Sequence, residues 1–274
     1  MPKFTIITTC KGRLGHLRQT LPQFLKQPDT KVIVVDYSCP EHSGVWAREN
    51  HPEVVVVEVA GQEYFRANQA RNAGAAAAQS RFLIFLDADS LISDDFVPQI
   101  DRVLEEGVFL RLRYPQGNDL NGACIVPAAS YRAVQGYDEI IEGYGGEEQE
   151  FYWRLRRIGM KARYLAAEGL CEPIRHDNQS RIAHQPEKNM RKAFLQVRGY
   201  RLCKEAVLGV MFTPELAVAH RKELWHTVQR AIESGEDDIR ITVPHPAIKP
   251  GFLSDWEMSR VVQVRMRRKR GENN

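Results

Sequence analysis

The sequence predicts an α/β chain built on an open, mostly parallel, doubly wound sheet flanked by helices. Three observations carry that expectation. Apolar, β-branched runs recur at Phe4–Thr9, Lys31–Val35, Val54–Val59 and Phe82–Leu86, short enough for strands buried on both faces. Segments of helical spacing separate them, one carrying Leu14, Leu17, Leu21, Phe24 and Leu25, another the Ala-rich stretch Asn68–Gln79. Polar residues or carboxylates close the strands, as in sheets that bind ligands at their carboxyl edge.

Taken in order, the first strand passes through the turn Cys10–Arg13 into a helix, His16–Lys26, expected to be interrupted or kinked near Pro22. The second strand ends at Asp36, Tyr37 and Ser38. In the Ala-rich helix, Ala70, Ala73, Gly74 and Ala77 form a small-residue stripe that lets a helix lie close to a sheet. Arg66 and Arg71 at its start read either as solvated surface arginines or as bidentate contacts to a phosphate or carboxylate.

The run Phe82–Leu86 is the central strand, and it ends at Asp87, Ala88 and Asp89. Extended geometry points side chains two apart the same way. Two hard oxygen donors so placed hold a divalent cation and, through it, phosphates; the alternative is an ordinary polar strand end. Ser93, Asp94 and Asp95 are expected to cap a helix reaching about Glu106. Two strands, Phe109–Arg113 and Asn121–Pro127, and a short helix, Ala129–Val134, follow.

A second cluster lies at Gly143, Tyr144, Gly145 and Gly146, a close-approach loop opening a helix expected over Glu147–Ile158 with Phe151, Leu155 and Ile158 inward. Glu147, Glu148 and Glu150 fall in its first turn. They read as favourable charge at a helix N-terminus, or as a general base beside an opening that a hydroxyl can enter. Beyond a loop carrying His176 and His184, helices are expected at Glu187–Glu205 and Pro214–Glu233. Pro244, Pro246 and Pro250 mark an irregular linker, and a final helix is expected over Asp255–Arg270.

Several classes are excluded or disfavoured. No G-x-G-x-x-G follows the first strand and no P-loop occurs, which argues against a dinucleotide cofactor and a P-loop NTPase. The five cysteines are odd in number and include no C-x-x-C, so they read as buried or incidental thiols. A net charge of +3 over 274 residues is too small to imply nucleic acid. No signal-peptide apolar region or membrane-length run is present, so the chain is expected in the cytoplasm. The basic run Arg265–Arg270 reads as a solvated helix end, or as a peripheral contact with anionic lipid or an acidic carbohydrate carrier.

Over residues 3–185 these motifs together resemble a GT-A (Rossmann-like) glycosyltransferase: family 2 in the first hundred residues, the β-1,4-galactosyltransferase and polypeptide N-acetylgalactosaminyltransferase group in the middle. Thr9–Arg13 stands where that group places a turn on uridine diphosphate, which implicates Thr9, Lys11 and Arg13. Val34–Ser38 resembles the element whose aspartate, here Asp36, meets uracil. Phe65, Arg66 and Ala67 resemble a donor-side segment, and Arg71 follows one turn later. Asp87, Ala88 and Asp89 resemble the metal-binding D-x-D. Gly143–Gln149 resembles the Gly-Trp-Gly-Gly-Glu-Asp-Asp loop, which implies Glu148 as catalytic base, Glu147 as the acidic neighbour, and Tyr144 and Gly146 as donor or acceptor contacts. Ile174, Arg175 and His176 resemble the Ile-Arg-His element that completes the metal site.

The resemblance implies Mn²⁺ or Mg²⁺ held by Asp89 and His176, with Asp87 binding directly or serving water and sugar, and His184 as a competing ligand. It implies inverting transfer of a hexose or N-acetylhexosamine from a UDP-sugar to a carbohydrate or glycoconjugate hydroxyl. A nucleotide-sugar-binding protein without turnover and a nucleotidyltransferase are the alternatives. The expected organisation is a domain over 1–185, with 1–115 binding the nucleotide sugar and 116–185 the acceptor, then a helical extension over 186–274. Glu148 stands where the group has aspartate, and Tyr144 where it has tryptophan, which leaves acceptor fit and sugar preference open.

Overall fold

The computed structural model describes residues 1–114, 120, 122–175, 183–209, 213, 215–245 and 260–267. They form two compact units, Met1–Glu139 with Glu148–Lys188, and Ile140–Glu147 with Asn189–Asn274.

The first unit holds nine strands: β1 (Phe4–Cys10), β2 (Thr30–Asp36), β3 (Val55–Glu58), β4 (Phe82–Phe85), β5 (Ser90–Ile92), β6 (Val108–Arg113), β7 (Cys124–Pro127), β8 (Lys161–Ala166) and β9 (Cys171–Pro173). Its helices are α1 (Leu14–Leu25), α2 (Ser43–Asn50), α3 (Ala67–Ala77), α4 (Phe96–Val103), α5 (Ala128–Ala133) and α6 (Glu147–Arg157), the last beginning on a residue grouped with the second unit. Seven strands make one sheet in the order β3-β2-β1-β4-β7-β6-β8. Only β7 runs antiparallel to its neighbours in that sheet, so the carboxyl ends of β1, β2, β4 and β6 lie along one edge.

Alternation along the strands builds two cores. Phe4, Ile6, Val32, Val34 and Ile84 face Leu17, Leu21 and Phe24 of α1 and Phe96 and Ile100 of α4. Ile7, Ile33, Val35, Leu83 and Phe85 face the other way, with Ala70 of α3 and Phe151 and Leu155 of α6. The mostly parallel α/β sheet expected from the apolar runs is what forms. The small stripe on α3 has the expected effect: a β-carbon at Gly74 would lie 2.5 Å from Ile7 Cγ2, so the helix rests on the sheet at this glycine. Pro22 is accommodated inside α1.

Some local expectations are corrected. The helix after Asp89 begins only at Phe96, with no side-chain cap from Asp95; Ser93 Oγ instead donates to Asp95 Oδ1 at 2.8 Å. Ile158 lies past the end of α6 and is 42% exposed rather than inward.

The second unit carries α7 (Met190–Leu208), α8 (Val218–Glu233) and a hairpin of β10 (Asp238–His245) with β11 (Arg260–Arg267). The extension is thus helical over α7 and α8, but the expected final helix is a strand over the residues described. Val261, Val262 and Val264 are β-branched, and β11 pairs with a partner whose Ile239, Ile241 and Val243 are buried at period two. Pro244 is correspondingly part of β10, opposite Val261, not of a linker. Tyr200 and Trp225 join α7 to α8 edge to face at 5.4 Å, and Lys204 Nζ donates to Glu215 Oε2 at 2.6 Å in the buried interior. No helix among the described residues is long and apolar enough to cross a membrane.

Candidate active site

The Asp87–Asp89 turn is held by its backbone. Ser90 N donates to Asp87 O at 3.0 Å, and Thr20 Oγ1 to Ala88 O at 2.9 Å. β5 then pairs with β9, and Ile174 N donates to Asp89 O at 2.7 Å. The strand ends at Phe85, so strand alternation does not extend to this turn; Ala88 is buried, and Asp87 and Asp89 on either side of it are of intermediate exposure. Both also reach Cys171, whose thiol is pushed up to about 12 by burial first and then by the charges of Asp87 and Asp89. His176, two residues beyond Ile174 in sequence, lies outside the described residues.

Arg71 lies between the strand end and α6. It is buried on α3, with Nη2 3.2 Å from Asp87 Oδ1 and 3.7 Å from Glu148 Oε1. One guanidinium therefore faces both the strand-end carboxylate and the first turn of α6. Its plane lies 5.3 Å from the Tyr137 ring. The flanking asparagines hold this helix face in register. Asn68 Nδ2 donates to Asp138 O at 2.8 Å, and Asn72 Nδ2 to Tyr137 O at 2.9 Å while its Oδ1 accepts from Tyr137 N. Gly122 closes the arrangement, because a β-carbon there would fall 2.6 Å from Asp87 Oδ2 and 2.8 Å from Arg71 Nη2. Of the two readings of Arg71, the carboxylate contact is the one observed.

At the ends of β1 and β2 the residues expected on the donor side are drawn into a compact turn. Lys11 Nζ donates to the carbonyls of Gln62 at 2.7 Å, Ser38 at 3.0 Å and Tyr37 at 3.4 Å. Asp36 accepts from Gly44 N at 2.6 Å, Cys39 N at 2.7 Å and Ser43 Oγ at 3.1 Å, and so anchors the start of α2. Arg13 is the N-cap residue of α1, Arg66 that of α3, and Thr9 is buried near the end of β1. Gly12 has φ +65° and sits against the His184 ring, where no β-carbon fits. Burial first, then the Lys11 charge, lowers the His184 pKa. His184 thus lies on the Lys11–Arg13 turn.

Tyr144, Gly146 and Glu147 belong to the second unit. There Gly145 and Gly146 take φ +100° and +94°, and Gly145 N donates to Glu147 Oε2 at 2.9 Å. Tyr144 meets Phe194 edge to face at 6.0 Å. Glu150 is turned to a different task, a buried two-point pair with Arg154 at 2.6 and 2.7 Å.

Sequence reasoning did not single out the thiols at the ends of β1 and β2. Cys10 ends β1 opposite Asp36 of β2, which brings its Sγ within 4.0 Å of Cys39 Sγ. Gly12 N donates to Cys39 Sγ at 3.2 Å. The hydrogen bond from Cys10, opposed by burial and helped by Ser43 and the Gly12 amide, lowers the Cys39 pKa to about 5, while Cys10 is raised well above its usual range. Only the pairing of β1 with β2 reveals this, since the residues are far apart in sequence. The stability this thiolate adds is complete above the ordinary thiol value of 9.0 and lost as pH falls through about 5. Ultraviolet absorbance of the thiolate is expected to appear around pH 5 in the native protein and to vanish in Cys39→Ser; a first rise only near pH 9 would contradict it.

With this geometry in place, residues 5–120 match the family model described as glycosyl transferase family 2, and residues 108–177 match the N-terminal domain of galactosyltransferase. No curated protein sequence matches the chain. Solved structures share the fold. The S. aureus TarS fragment 1–349 in complex with UDP-GlcNAc is similar at 13% identity, TM-score 0.57, over 85% of this chain and 73% of that one. The mannosyltransferase PcManGT from Pyrobaculum calidifontis, in complex with GDP-Man and Mn²⁺, gives 13%, 0.56, 86% and 76%. The catalytic domain of Drosophila β1,4-galactosyltransferase 7, in complex with xylobiose, gives 16%, 0.50, 70% and 79%. The fold is GT-A, and the two segment matches support a nucleotide-sugar glycosyltransferase.

Proposed function

Proceeding from a GT-A fold whose residues 5–120 match glycosyl transferase family 2, we propose that the chain is a metal-dependent, inverting glycosyltransferase. In this reading it moves a hexose or N-acetylhexosamine from a UDP-sugar to a hydroxyl of a glycan or glycoconjugate. The observation that carries it is Arg71, which faces Asp87 at the end of the central strand and Glu148 at the start of α6. A donor-binding carboxylate and a proton acceptor are thereby held one guanidinium apart.

Asp87 and Asp89, both partly exposed, offer hard oxygen donors, which suits Mn²⁺ or Mg²⁺. With His176 they are the residues proposed to hold it. When bound, the cation supplies charge neutralisation for the departing diphosphate. Asp36 is assigned to the base of the nucleotide. Thr9, Arg13 and Arg66 are assigned to its ribose and phosphates, with the Lys11 ammonium a fixed positive charge behind the same turn. Glu148 takes the proton of the acceptor hydroxyl while that oxygen bonds to the anomeric carbon and the bond to the diphosphate breaks. A single displacement inverts the configuration once. Glu147, Tyr144 and Gly146 are assigned to the sugar and acceptor. The basic run that begins at Arg265 remains proposed for peripheral contact with an anionic surface; Arg265 pairs with Asp238, and Arg267 is exposed on the same strand.

Release of nucleoside diphosphate, measured with UDP- and GDP-sugars against an acceptor panel, tests the reading. Expected are turnover with Mn²⁺, loss on chelation, and recovery on adding the metal back. Turnover indifferent to chelator would remove the metal assignment. Tight UDP binding without release from any donor would favour the binding-protein reading instead.

A further inference from the structure

Across β7 from the Asp87 turn, the face of β6 and β8 that meets α6 carries charge that donor binding does not use. Arg111 and Arg113 lie two apart on β6 and point to the same face, and the register sets Tyr164 of β8 beside Arg111. Arg111 is buried, 4.2 Å above the Tyr152 ring and 5.4 Å from the Tyr164 ring. Its Nη1 donates to the Tyr164 hydroxyl at 3.3 Å, which leaves the hydroxyl proton to point elsewhere. Arg113 lies 5.4 Å from the same ring and is exposed, as is Tyr164 at 44%. Among the described residues no carboxylate pairs with Arg113.

This array is continuous with the proposed base. Tyr152 lies one helical turn after Glu148 on α6, so both occupy one helix face. The buried Cys124 thiol lies within the fields of Arg111, Arg71 and Glu148 together, and receives a hydrogen bond from Tyr152. Two guanidinium groups at this spacing on one strand repel each other. Rings of Tyr152 and Tyr164 offset part of that cost, and an anion between Arg113 and the Tyr164 hydroxyl would offset the rest, with charge-assisted hydrogen bonds from both.

We propose that Arg113 and Tyr164 form a subsite for an anionic sugar, a uronate or a sugar phosphate, with Arg111 as the fixed charge behind it. The transferase reading enters only in calling this sugar part of the acceptor. At the carboxyl end of β6, the subsite lies along the same sheet edge as Asp87, two strands across.

Saturation-transfer NMR on the full chain tests it, with methyl β-D-glucuronide, glucose 6-phosphate and neutral methyl β-D-glucoside as probes. One or both anionic sugars are expected to bind, and the glucoside far less; which one binds tells carboxylate from phosphate. Arg113→Ala should weaken that binding about tenfold, the scale of one charge-assisted hydrogen bond, and Tyr164→Phe should weaken it with the ring retained. UDP binding, followed in the same samples, should be unchanged in both variants. Equal signals from all three sugars, or anion binding unaffected by Arg113→Ala, would overturn the subsite. Absence of UDP binding in the native chain would count against the transferase reading and leave Arg113-dependent anion binding in support of the subsite.

Discussion

Replacing Glu148 by glutamine is expected to lower kcat by about 10²- to 10⁴-fold, the usual worth of general-base assistance, while the KM for the donor stays unchanged. The amide keeps the length of the side chain and still offers an oxygen to Arg71, so the packing of α6 against α3 is preserved. What it loses is the ability to accept a proton as the acceptor oxygen attacks. The loss should therefore fall on transfer to an acceptor and spare UDP binding, which separates a base from a residue that merely supports the site. A variant with near-native kcat would remove the assignment. Arg71→Lys provides the complementary test. A lysine side chain is one bond shorter and does not bring its ammonium to the position from which Nη2 faces Asp87 at 3.2 Å and Glu148 at 3.7 Å, so it should impair both donor affinity and kcat.

Much of the fold was legible because buried parallel strands must be apolar throughout. Phe82–Phe85 and Val32–Val35 have few other ways to be buried in water. Elements with weak apolar content were not legible. Helix α2 owes its start to Asp36, seven residues before Ser43, whose carboxylate accepts from the Ser43 hydroxyl and the Gly44 amide, and nothing in the intervening composition announces a helix. Strand β8 lies at the sheet edge with half-exposed residues, and β5 and β9 are three residues each, too short for any period to show. In β11, arginine and glutamine between the valines imitate a basic helix, and only pairing with β10 decides otherwise.

At the candidate site, residue types were readable but their partners were not. Asp87, Asp89 and Glu148 could be picked out from motif context. That Arg71 is buried between two of them depends on how close α3 lies to the sheet, which is set by Gly74 against Ile7. The Cys10–Cys39 contact likewise arises from strand order, a property that no local pattern encodes.

The largest loss of stability is expected from Arg154→Ala. Arg154 and Glu150 are 1% and 0% exposed, and joined at two points. Truncating the arginine leaves a carboxylate buried without its cation, which costs about 3–5 kcal/mol, a large share of a typical total of about 5–15 kcal/mol. Arg154 also donates to Val134 O at the end of α5, so it ties α6 to a second helix as well as to itself. Denaturant unfolding should show a lower midpoint. Replacing both partners together, as in Glu150→Leu with Arg154→Met, should recover most of the loss, because neither charge of the pair then remains. If the double variant is as unstable as the single one, the arginine matters through its bond to Val134 and its volume rather than its charge. Glu150 and Arg154 share one face of α6, and Glu148 and Tyr152 share another. The buried pair fixes the rotation of the helix that presents Glu148 to Arg71, so kcat should fall with stability in Arg154→Ala and return in the double variant.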